Sequence, residues 1–246
     1  MTAPTAPSMP AYSRSAYLYD SYIPRTDYAE GARRLTARVR DLNPEARSLL
    51  DVGCGSGKYL DHLRHSFACE GLDLSDGFVE IARQRCPDVP IHKANMIDFD
   101  LDRRFDVISC LFVAIAYTGS LENMERAIAN MARHLNPGGV LMIEPWVYPE
   151  NFWDRRLTVE NIEDGDMRLS RMFVARREGA LSVYDIHYLV GTPDGVEHFV
   201  EREELGLFTH AQYLDAFRKA GLAVFHDPQG GLFDAHNIGL YWGIRR

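Results

Sequence analysis

A turn with glycine at alternating positions is the first feature of this sequence that suggests chemistry. It runs from Asp51 to Gly57 as D-V-G-C-G-S-G, between an apolar run and a helical pattern. Glycine at such positions lets the backbone approach a ligand closely. The spacing departs from the dinucleotide pattern G-x-G-x-x-G, and Lys58 is followed by Tyr59 where a P-loop requires serine or threonine. The turn therefore predicts a ligand site and disfavours an NAD-dependent oxidoreductase or a nucleoside triphosphatase.

An acidic residue stands at the end of the next apolar run. Asp73 lies sixteen residues beyond Gly57, in the run E-G-L-D-L. A carboxylate at the end of that strand can accept hydrogen bonds from both hydroxyls of a ribose. A helix N-cap is the alternative role for an acid at this position. Together with the glycine turn, Asp73 favours a nucleoside-binding site.

Strand and helix patterns alternate along the first 145 residues, which predicts an α/β fold with a parallel sheet covered on both faces. The predicted strands are residues 48–52, 68–74, 91–94, 105–111 and 140–144, and the predicted helices are residues 28–42, 59–63, 77–86 and 121–135. After Pro145, β-branched and aromatic runs separated by Gly179 and the turn at residues 193–195 predict an antiparallel insert. A helix at residues 211–220, capped by Gly221, and strands at 223–226 and 239–244 complete the pattern.

This pattern divides the chain into four parts. We expect a flexible N-terminal arm over residues 1–16, because its first 13 residues are too poor in apolar side chains to offset the entropy of ordering them. The ligand-binding core spans residues 17–145, an insert that caps the acceptor site spans 146–205, and residues 206–246 return to complete the core sheet.

The composition excludes several classes of protein. The formal net charge of −8 repels phosphate backbones and anionic membranes, so nucleic acid and membranes are not expected as partners. The four cysteines form no Cys-x-x-Cys pair, which argues against a metal site or a disulfide framework and favours a reducing cytoplasm. A run of about 18 apolar residues, as a spanning helix needs, does not occur in this sequence.

Four ordered motifs resemble those of the class I S-adenosylmethionine-dependent methyltransferases. The motifs are residues 49–57, 71–75, 94–99 and 135–139. The resemblance implies a Rossmann-like fold with a mostly parallel seven-stranded sheet. It also implies S-adenosylmethionine as cofactor, with the glycine turn at the methionine portion, Asp73 at the ribose, and Asn95 and Met96 at the adenine. The full implied cofactor set is Asp51, Gly53, Gly55, Gly57, Asp73, Leu74, Asn95, Met96 and Leu111.

From about Tyr17 to its end, the chain is similar to the nucleotide-linked amino-sugar N,N-dimethyltransferases of deoxysugar biosynthesis. The shared stretches are Leu18-Tyr19-Asp20, residues 105–112, Glu144-Pro145-Trp146 with Pro149 and Phe152, residues 186–188, residues 196–198, and Leu207-Phe208. The resemblance implies methylation of an amino group on a nucleotide-activated deoxysugar, in one or two transfers, and it is consistent with a homodimer. Two alternatives stay open: an N- or O-methyltransferase of another natural-product or amino-acid-like acceptor, and a non-catalytic protein that binds S-adenosylmethionine.

The chain departs from that subfamily at two positions. Tyr117 stands where these enzymes carry a histidine proposed to lie in the active site. An arginine expected close to the last strand is absent from the run H-N-I-G-L at residues 236–240. These departures motivate the alternative of a different amine acceptor.

Methyl transfer requires a neutral amine, so a base or hydrogen-bond acceptor is expected beside the reacting nitrogen. The catalytic candidates by motif position are Tyr117, Glu144, His187 and Tyr19, with Tyr19 in a segment that closes over the cofactor. The candidates for acceptor binding are Trp146, Tyr22, Tyr188, His198, Arg171 and Arg176. His187 and Tyr188 must face opposite sides of a regular strand, so one of them faces the site. The arginines suit phosphate recognition, or alternatively a solvated face interleaved with acidic residues.

Overall fold

The computed structural model describes residues 9–23, 27–232 and 238–246 of the chain. Its strands are β1 (Met9–Pro10), β2 (Ser48–Val52), β3 (Ala68–Asp73), β4 (Ile91–Lys93), β5 (Phe105–Cys110), β6 (Leu135–Ile143), β7 (Leu157–Asp164), β8 (Met167–Val174), β9 (Arg176–Glu178), β10 (Leu181–Thr192), β11 (Gly195–Gly206), β12 (Leu222–Asp227) and β13 (Leu240–Arg245). Its α-helices are α1 (Tyr19–Tyr22), α2 (Tyr28–Leu42), α3 (Lys58–Leu63), α4 (Asp76–Arg85), α5 (Leu121–Arg133) and α6 (His210–Lys219). Short 3-10 helices span Ser15–Leu18 and Ala114–Thr118.

A mostly parallel sheet of seven strands organises the core, in the order β12-β13-β6-β5-β2-β3-β4. The β6, β5, β2, β3 and β4 neighbours are parallel, whereas β13 runs antiparallel to both β6 and β12. One face packs against α2, α3 and α4, and the other against α5 and α6. The predicted fold class is therefore confirmed.

The central strands are apolar on both faces because helices cover both. Leu49 and Leu50 of β2, each fully buried, belong to the clusters on opposite faces of the sheet. Such two-sided burial explains why these strands appear in the sequence as continuous apolar runs. The helix α5 shows the complementary pattern, since Met124, Ile128 and Met131 form one buried stripe at helical spacing.

A second, antiparallel sheet follows β6 and confirms the predicted insert. Its order is β1-β11-β10-β8-β7, with β9 also paired to β10. The hairpin of β10 and β11 is paired from Leu181 with Gly206 to Thr192 with Gly195, which leaves a two-residue turn at 193–194. The strand β7 was not predicted, because its apolar Leu157 and Val159 are exposed while its half-buried face carries the polar Thr158 and Glu160.

The N-terminal segment differs from the predicted flexible arm. Residues 9–16 are part of the fold: β1 pairs in parallel with β11, and Ser15 and Ala16 are buried. Hydrogen bonds to the buried carboxylate of Glu201 order this segment. A prediction from composition cannot include such long-range hydrogen bonds. Residues 1–8 lie outside the described part of the chain.

Element ends in the core mostly fall within two residues of those predicted, with β6 the main exception. In the insert, β8 begins four residues before the predicted 171–175 and β11 ends five residues after the predicted 197–201. The strand β6 begins at Leu135, five residues earlier than expected, and passes through a register shift opposite Phe105 and Val107 of β5. Pro137, Gly138 and Gly139 are typical of a turn, so the sequence does not predict that the strand already begins at Leu135. Within the described residues, no helix is both long and apolar enough to cross a membrane.

Candidate active site

A cavity of about 640 Å³ opens at the carboxyl ends of β2 and β3. Its walls come from the turn after β2, the ends of β3 and β4, the N-terminal segment, and the 3-10 helix after β5. Ligands of open α/β sheets bind at this edge, in the crevice beyond the strand ends. The cavity therefore brings together parts of the sequence that were predicted to carry the chemistry.

The glycine turn after β2 adopts a backbone that favours glycine. Gly53, Gly55 and Gly57 have φ angles of +71°, +53° and +79°. A Cβ added at Gly53 would lie 2.6 Å from the Cβ of Ala114, whereas a Cβ at Gly55 would meet no heavy atom within 4 Å. Gly55 thus leaves open space at the cavity wall, and Gly53 allows the turn and the 3-10 helix to touch.

Asp73 faces the cavity from the end of β3 and also holds the glycine turn. Its Oδ2 accepts from the backbone N–H of Gly55 at 2.9 Å, and its Oδ1 accepts from the N–H of Ser75 at 2.9 Å. Burial raises the pKa of this carboxyl, and those backbone hydrogen bonds oppose the rise. Asp73 therefore couples the shape of the turn to the cavity.

Leu74, Asn95 and Met96 also line the cavity. Asn95 Oδ1 accepts from the N–H of Ile97 at 3.0 Å, which fixes the side chain in a local turn. Asn130 of α5 donates to the carbonyl of Met96 at 3.2 Å. The segment is thus held by its own turn and by the neighbouring helix.

Three of the predicted cofactor residues do not line the cavity. Asp51 is buried behind the turn, where Ser109 Oγ donates to it at 2.7 Å, and burial raises its pKa to about 7. Gly57 faces Ala82 of α4, and Leu111 lies in the core cluster. Of the glycine turn, only Gly53 and Gly55 lie on the cavity wall, and direct contact of Asp51, Gly57 and Leu111 with the cofactor stays a prediction.

Three tyrosines line one part of the cavity, called here the tyrosine end. The hydroxyls of Tyr12 and Tyr117 lie 2.6 Å apart, and Tyr117 Oη donates to Glu203 Oε2 at 3.1 Å. The rings of Tyr12 and Tyr19 pack edge to face at 5.7 Å between centroids, and both also pack against Phe78. Burial raises the pKa of all three phenols, so they stay protonated. The predicted Tyr19 and Tyr117 are therefore brought together at the cavity.

Asp20 connects the tyrosine segment to the glycine turn. Its carboxylate accepts from Ser56 Oγ at 2.7 Å, pairs with Arg85, and lies 3.5 Å from the Lys58 ammonium. Asp20 belongs to the shared motif Leu18-Tyr19-Asp20, which by itself predicts no role for it. The structure gives it one, because this carboxylate holds α1 over the turn.

Glu144 supports the site from behind and does not line the cavity. Its Oε2 accepts from the N–H of Phe112 at 2.8 Å, and its Oε1 accepts from the N–H of Leu232 at 2.6 Å. Phe112 and Val113 have φ angles of +47° and +57°, which non-glycine residues rarely adopt. The prediction of a base at this position is corrected: Glu144 stabilises the strained turn that leads to Tyr117.

His187 and His198 lie on the exposed face of the antiparallel sheet. Their rings stack at 5.5 Å between centroids, and His187 Nδ1 is 3.2 Å from His198 Nε2. Neither lines the cavity. The prediction that they act at the site is therefore wrong for this chain, since strand alternation turns Tyr188 inward and both histidines outward.

The aromatic candidates Trp146, Tyr22 and Tyr188 are buried between the two sheets and do not line the cavity. Trp146 Nε1 donates to Ser182 Oγ at 3.0 Å. Tyr22 packs against Tyr19, and the ring of Tyr188 stacks on Phe199 at 4.8 Å. They join the insert to the core, so the expected direct contact with the acceptor is corrected to a packing role.

The two candidate arginines also differ from the expectation of phosphate binding. Arg171 is buried, with its guanidinium 3.6 Å from the centre of the Tyr22 ring and its Nη1 donating to Glu160 at 2.6 Å. Arg176 is exposed and lies 3.5 Å from Asp185. Neither lines the cavity, and each is paired with an acid.

Sequence reasoning missed three residues at the tyrosine end of the cavity: Tyr12, Glu201 and Glu203. Tyr12 fell in the predicted arm. Glu201 and Glu203 lie on the inward face of β11, two positions apart and in phase with Phe199, which is a signal that strand alternation offers. The run in which an arginine was expected begins at residue 236, and its first two residues lie outside the described part of the chain. Among the described side chains, no group of three or more histidines, cysteines or acids is arranged to hold a metal.

Comparisons with known proteins define the class. A family model described as "Methyltransferase domain" matches residues 25–227. The dTDP-4-amino-2,3,4,6-tetradeoxy-D-glucose N,N-dimethyltransferase of Saccharopolyspora spinosa is 41% identical over 220 residues, which span 89% of this chain and 87% of that protein. The dTDP-3-amino-3,6-dideoxy-alpha-D-glucopyranose N,N-dimethyltransferase of Streptomyces fradiae is 41% identical over 213 residues, 84% of each chain.

A solved structure agrees with this assignment. CalS10, an amino pentose methyltransferase from Micromonospora echinaspora solved with S-adenosylmethionine bound, matches with a TM-score of 0.82 at 30% identity, over 98% of this chain and 100% of that one. The chain therefore belongs to the methyltransferase-domain family, and S-adenosylmethionine is its cofactor. Within that family, it is similar along most of its length to enzymes that methylate the nitrogen of amino sugars.

Proposed function

We propose that this chain transfers the methyl group of S-adenosylmethionine to the amino nitrogen of a nucleotide-linked amino-deoxysugar, in two successive transfers. The observation that carries the proposal is the single cavity that joins the glycine turn and Asp73 to a cluster of protonated tyrosines. The two sugar dimethyltransferases, each 41% identical, support the choice of acceptor.

The residues around the cavity fit the cofactor. The open space at Gly55 accepts the methionine portion, since no heavy atom lies within 4 Å of the position that a Cβ would take. Asp73 is an ionisable acceptor at the end of β3 and would bind the ribose hydroxyls. Asn95 and Met96 would lie against the adenine, with the second lone pair of Asn95 Oδ1 still able to accept.

The bound cofactor supplies an electrophilic methyl group on a positively charged sulfur. The chain's own residues orient the acceptor, and such positioning is worth up to roughly 7–11 kcal/mol of the barrier. The rings of Tyr12, Tyr19 and Phe78 exclude water from the tyrosine end of the cavity. Phenol oxygens that stay protonated can still accept a hydrogen bond from the amine, which leaves its lone pair directed at the methyl group.

Mass spectrometry of a reconstituted reaction tests the proposal. The protein is incubated with S-adenosylmethionine and dTDP-linked 3-amino or 4-amino deoxysugars, and the matched control carries a hydroxyl in place of the amine. We expect two added methyl groups on an amino sugar, release of S-adenosylhomocysteine, and no methylation of the hydroxyl control. Methylation of the hydroxyl control would contradict N-methylation and would show that the enzyme methylates oxygen.

A different acceptor amine is the second candidate. Tyr117, at the place of the histidine that the resemblance implies, favours it, because this residue lines the cavity. Tight binding of S-adenosylhomocysteine without product from either amino sugar would support this second candidate and contradict the first.

A further inference from the structure

Glu203 is a buried carboxylate connected to the cavity by two hydroxyls. Its Oε2 accepts from Tyr117 Oη at 3.1 Å, and Tyr117 Oη lies 2.6 Å from Tyr12 Oη. Tyr12 and Tyr117 both line the cavity, whereas Glu203 lies behind them on β11 and is 8% exposed. The three side chains come from the N-terminal segment, the 3-10 helix after β5, and the antiparallel sheet.

Each phenol has one proton, so the carboxylate sets the direction of the whole chain of hydrogen bonds. Tyr117 donates its only proton to Glu203. Its oxygen must then accept from Tyr12, because the two hydroxyls are 2.6 Å apart and need one donor. The oxygen of Tyr12 is left with lone pairs alone for a partner in the cavity. An ionised Glu203 therefore turns Tyr12 into an acceptor for an amine N–H.

We propose that Glu203 is a positioning residue and the final proton acceptor of the methylated amine, acting through Tyr117 and Tyr12, and that it makes the second methyl transfer possible. The inference rests on the proposed function, since it presumes an amine acceptor. Neither the match to the methyltransferase-domain family nor the resemblance to amino-sugar dimethyltransferases assigns a role to Glu203.

The step balances in protons and charge. The first transfer leaves a methylammonium with two N–H bonds, one of which donates to Tyr12. That N–H bond breaks as its proton passes to the Tyr12 oxygen, the Tyr12 proton passes to Tyr117, and the Tyr117 proton passes to Glu203 Oε2. The products are a neutral secondary amine, two neutral phenols and a neutral carboxylic acid. The amine has regained the lone pair that a second transfer needs.

The groups around Glu203 suit this task. Those that face it are Tyr12, Tyr19 and Tyr22 from the N-terminal segment and α1, Tyr117 from the 3-10 helix, Arg171 from β8, Tyr184 and Tyr188 from β10, and Glu201 from β11. Burial raises the pKa of Glu203, and Glu201 adds to the rise, while Arg171 and the Tyr117 hydrogen bond oppose it. The raised pKa of Glu203 lies closer to the pKa of the amine from which it receives the proton.

Glu203→Gln tests the proposal, with Glu204→Gln as the matched control. Both residues lie on β11, but Glu204 is exposed on the opposite face and pairs with Arg202. Products are resolved into mono- and dimethylated sugar across a range of pH. We expect Glu203→Gln to slow the second transfer by roughly 100-fold, the low end for general acid–base catalysis, and to accumulate the monomethyl product. Its kcat/KM profile should lose one ionisation on the acid side, while Glu204→Gln matches the wild type.

Tyr117→Phe provides a second variant, because it interrupts the same chain of hydrogen bonds while the carboxylate of Glu203 stays in place. We expect it to accumulate monomethyl product as well, and the double variant to be no slower than the worse single variant, since both changes break one relay. Infrared difference spectra of the protein without acceptor give a readout apart from turnover. Among the bands of buried carboxylic acids that disappear as pH rises, one should be missing in Glu203→Gln, while those of Asp51 and Asp73 remain.

The possible failures are distinguishable. A wild-type protein that methylates no amino sugar overturns the proposed function. A wild type that dimethylates, together with a Glu203→Gln variant of unchanged product ratio and pH profile, overturns the role of Glu203 alone. Multiplicative effects in the double variant would also contradict the relay.

Discussion

Gly55 shows how one residue can serve the cavity by lacking a side chain. Its φ of +53° lies in the left-handed region, and its missing Cβ points to open space at the cavity wall. Gly165, in the turn between β7 and β8, has a similar φ of +56° and equally open surroundings, but it lies far along the chain in the insert and does not line the cavity. A comparison of substitutions at these two glycines therefore distinguishes the cost of backbone strain, which both share, from an effect on ligand binding, which only Gly55 can have.

We expect Gly55→Ala and Gly165→Ala to destabilise the protein alike, by about 1–2 kcal/mol, because both force alanine into a left-handed conformation. Only Gly55→Ala should weaken binding of S-adenosylhomocysteine, by about tenfold or more, since its methyl group would take space at the cavity wall. Thermal unfolding and titration calorimetry measure the two effects. Equal affinities in the two variants would show that Gly55 does not face the cofactor.

Asp73 is the side chain with which the cofactor site can be tested most directly. Asp73→Asn keeps the size but removes the charge and one of the two acceptors that bind Gly55 and Ser75. We expect S-adenosylhomocysteine to bind about 10- to 100-fold more weakly, as for the loss of a charge-assisted hydrogen bond. Asp76→Asn is the control, because Asp76 lines the same cavity with a side chain that is 80% exposed. An affinity unchanged by Asp73→Asn would discard the ribose assignment.

At the scale of elements, residues 12–22 hold the site together by contacting both sheets. The carboxylate of Glu201 is fully buried and accepts from the backbone N–H groups of Tyr12, Arg14 and Ser15 and from the hydroxyls of Ser13 and Ser15. Further along the same segment, Asp20 holds α1 on the glycine turn. One carboxylate on the insert thus orders the segment that carries Tyr12.

Glu201→Gln should loosen this segment and leave the rest of the fold intact. An amide keeps one oxygen but loses the charge, and hydrogen bonds to charged groups contribute about 1.5–3 kcal/mol each. We expect hydrogen exchange at residues 12–15 to accelerate by at least about tenfold, and S-adenosylhomocysteine to dissociate faster. Protection in α5 should stay at the wild-type level, and Glu204→Gln should change neither. Unchanged exchange at residues 12–15 would contradict the anchoring role.

The same segment marks the limit of prediction from the sequence. The helix α2 and the strands β2, β3 and β5 were predictable, because local periodicity and two-sided burial determine them. Tyr12 was not, since its order comes from a carboxylate nearly 190 residues away in the chain. Glu144, His187 and Trp146 were placed at the site by motif position alone. Which way each side chain points depends on turns and strand phase, and these emerge only when the sheets pack.

On the scale of the whole molecule, the site concentrates buried acids within a net-acidic protein. Burial raises the pKa of Asp51, Asp73 and Glu203. The folded protein therefore binds protons more tightly at these groups than the unfolded chain does. For acids with a raised pKa, stability is highest below the unfolded value and declines as pH rises toward the folded value. The free enzyme should accordingly lose stability as pH rises through these groups, and for Asp51, with a folded pKa of about 7, the window runs from about pH 4 to pH 7.

Asp51 allows this whole-molecule effect to be tested, because it lies behind the glycine turn and not on the cavity wall. Its pKa rises from 3.8 to about 7, so the ionisation that opposes folding is spread across that window. We expect Asp51→Asn to flatten the decline in the free energy of unfolding between pH 4 and pH 7, by an amount on the order of a few kcal/mol. Asp166→Asn, at an exposed turn, should follow the wild-type curve. Denaturant unfolding without cofactor at several pH values measures both, and an Asp51→Asn curve parallel to the wild type would show that Asp51 does not titrate in this window.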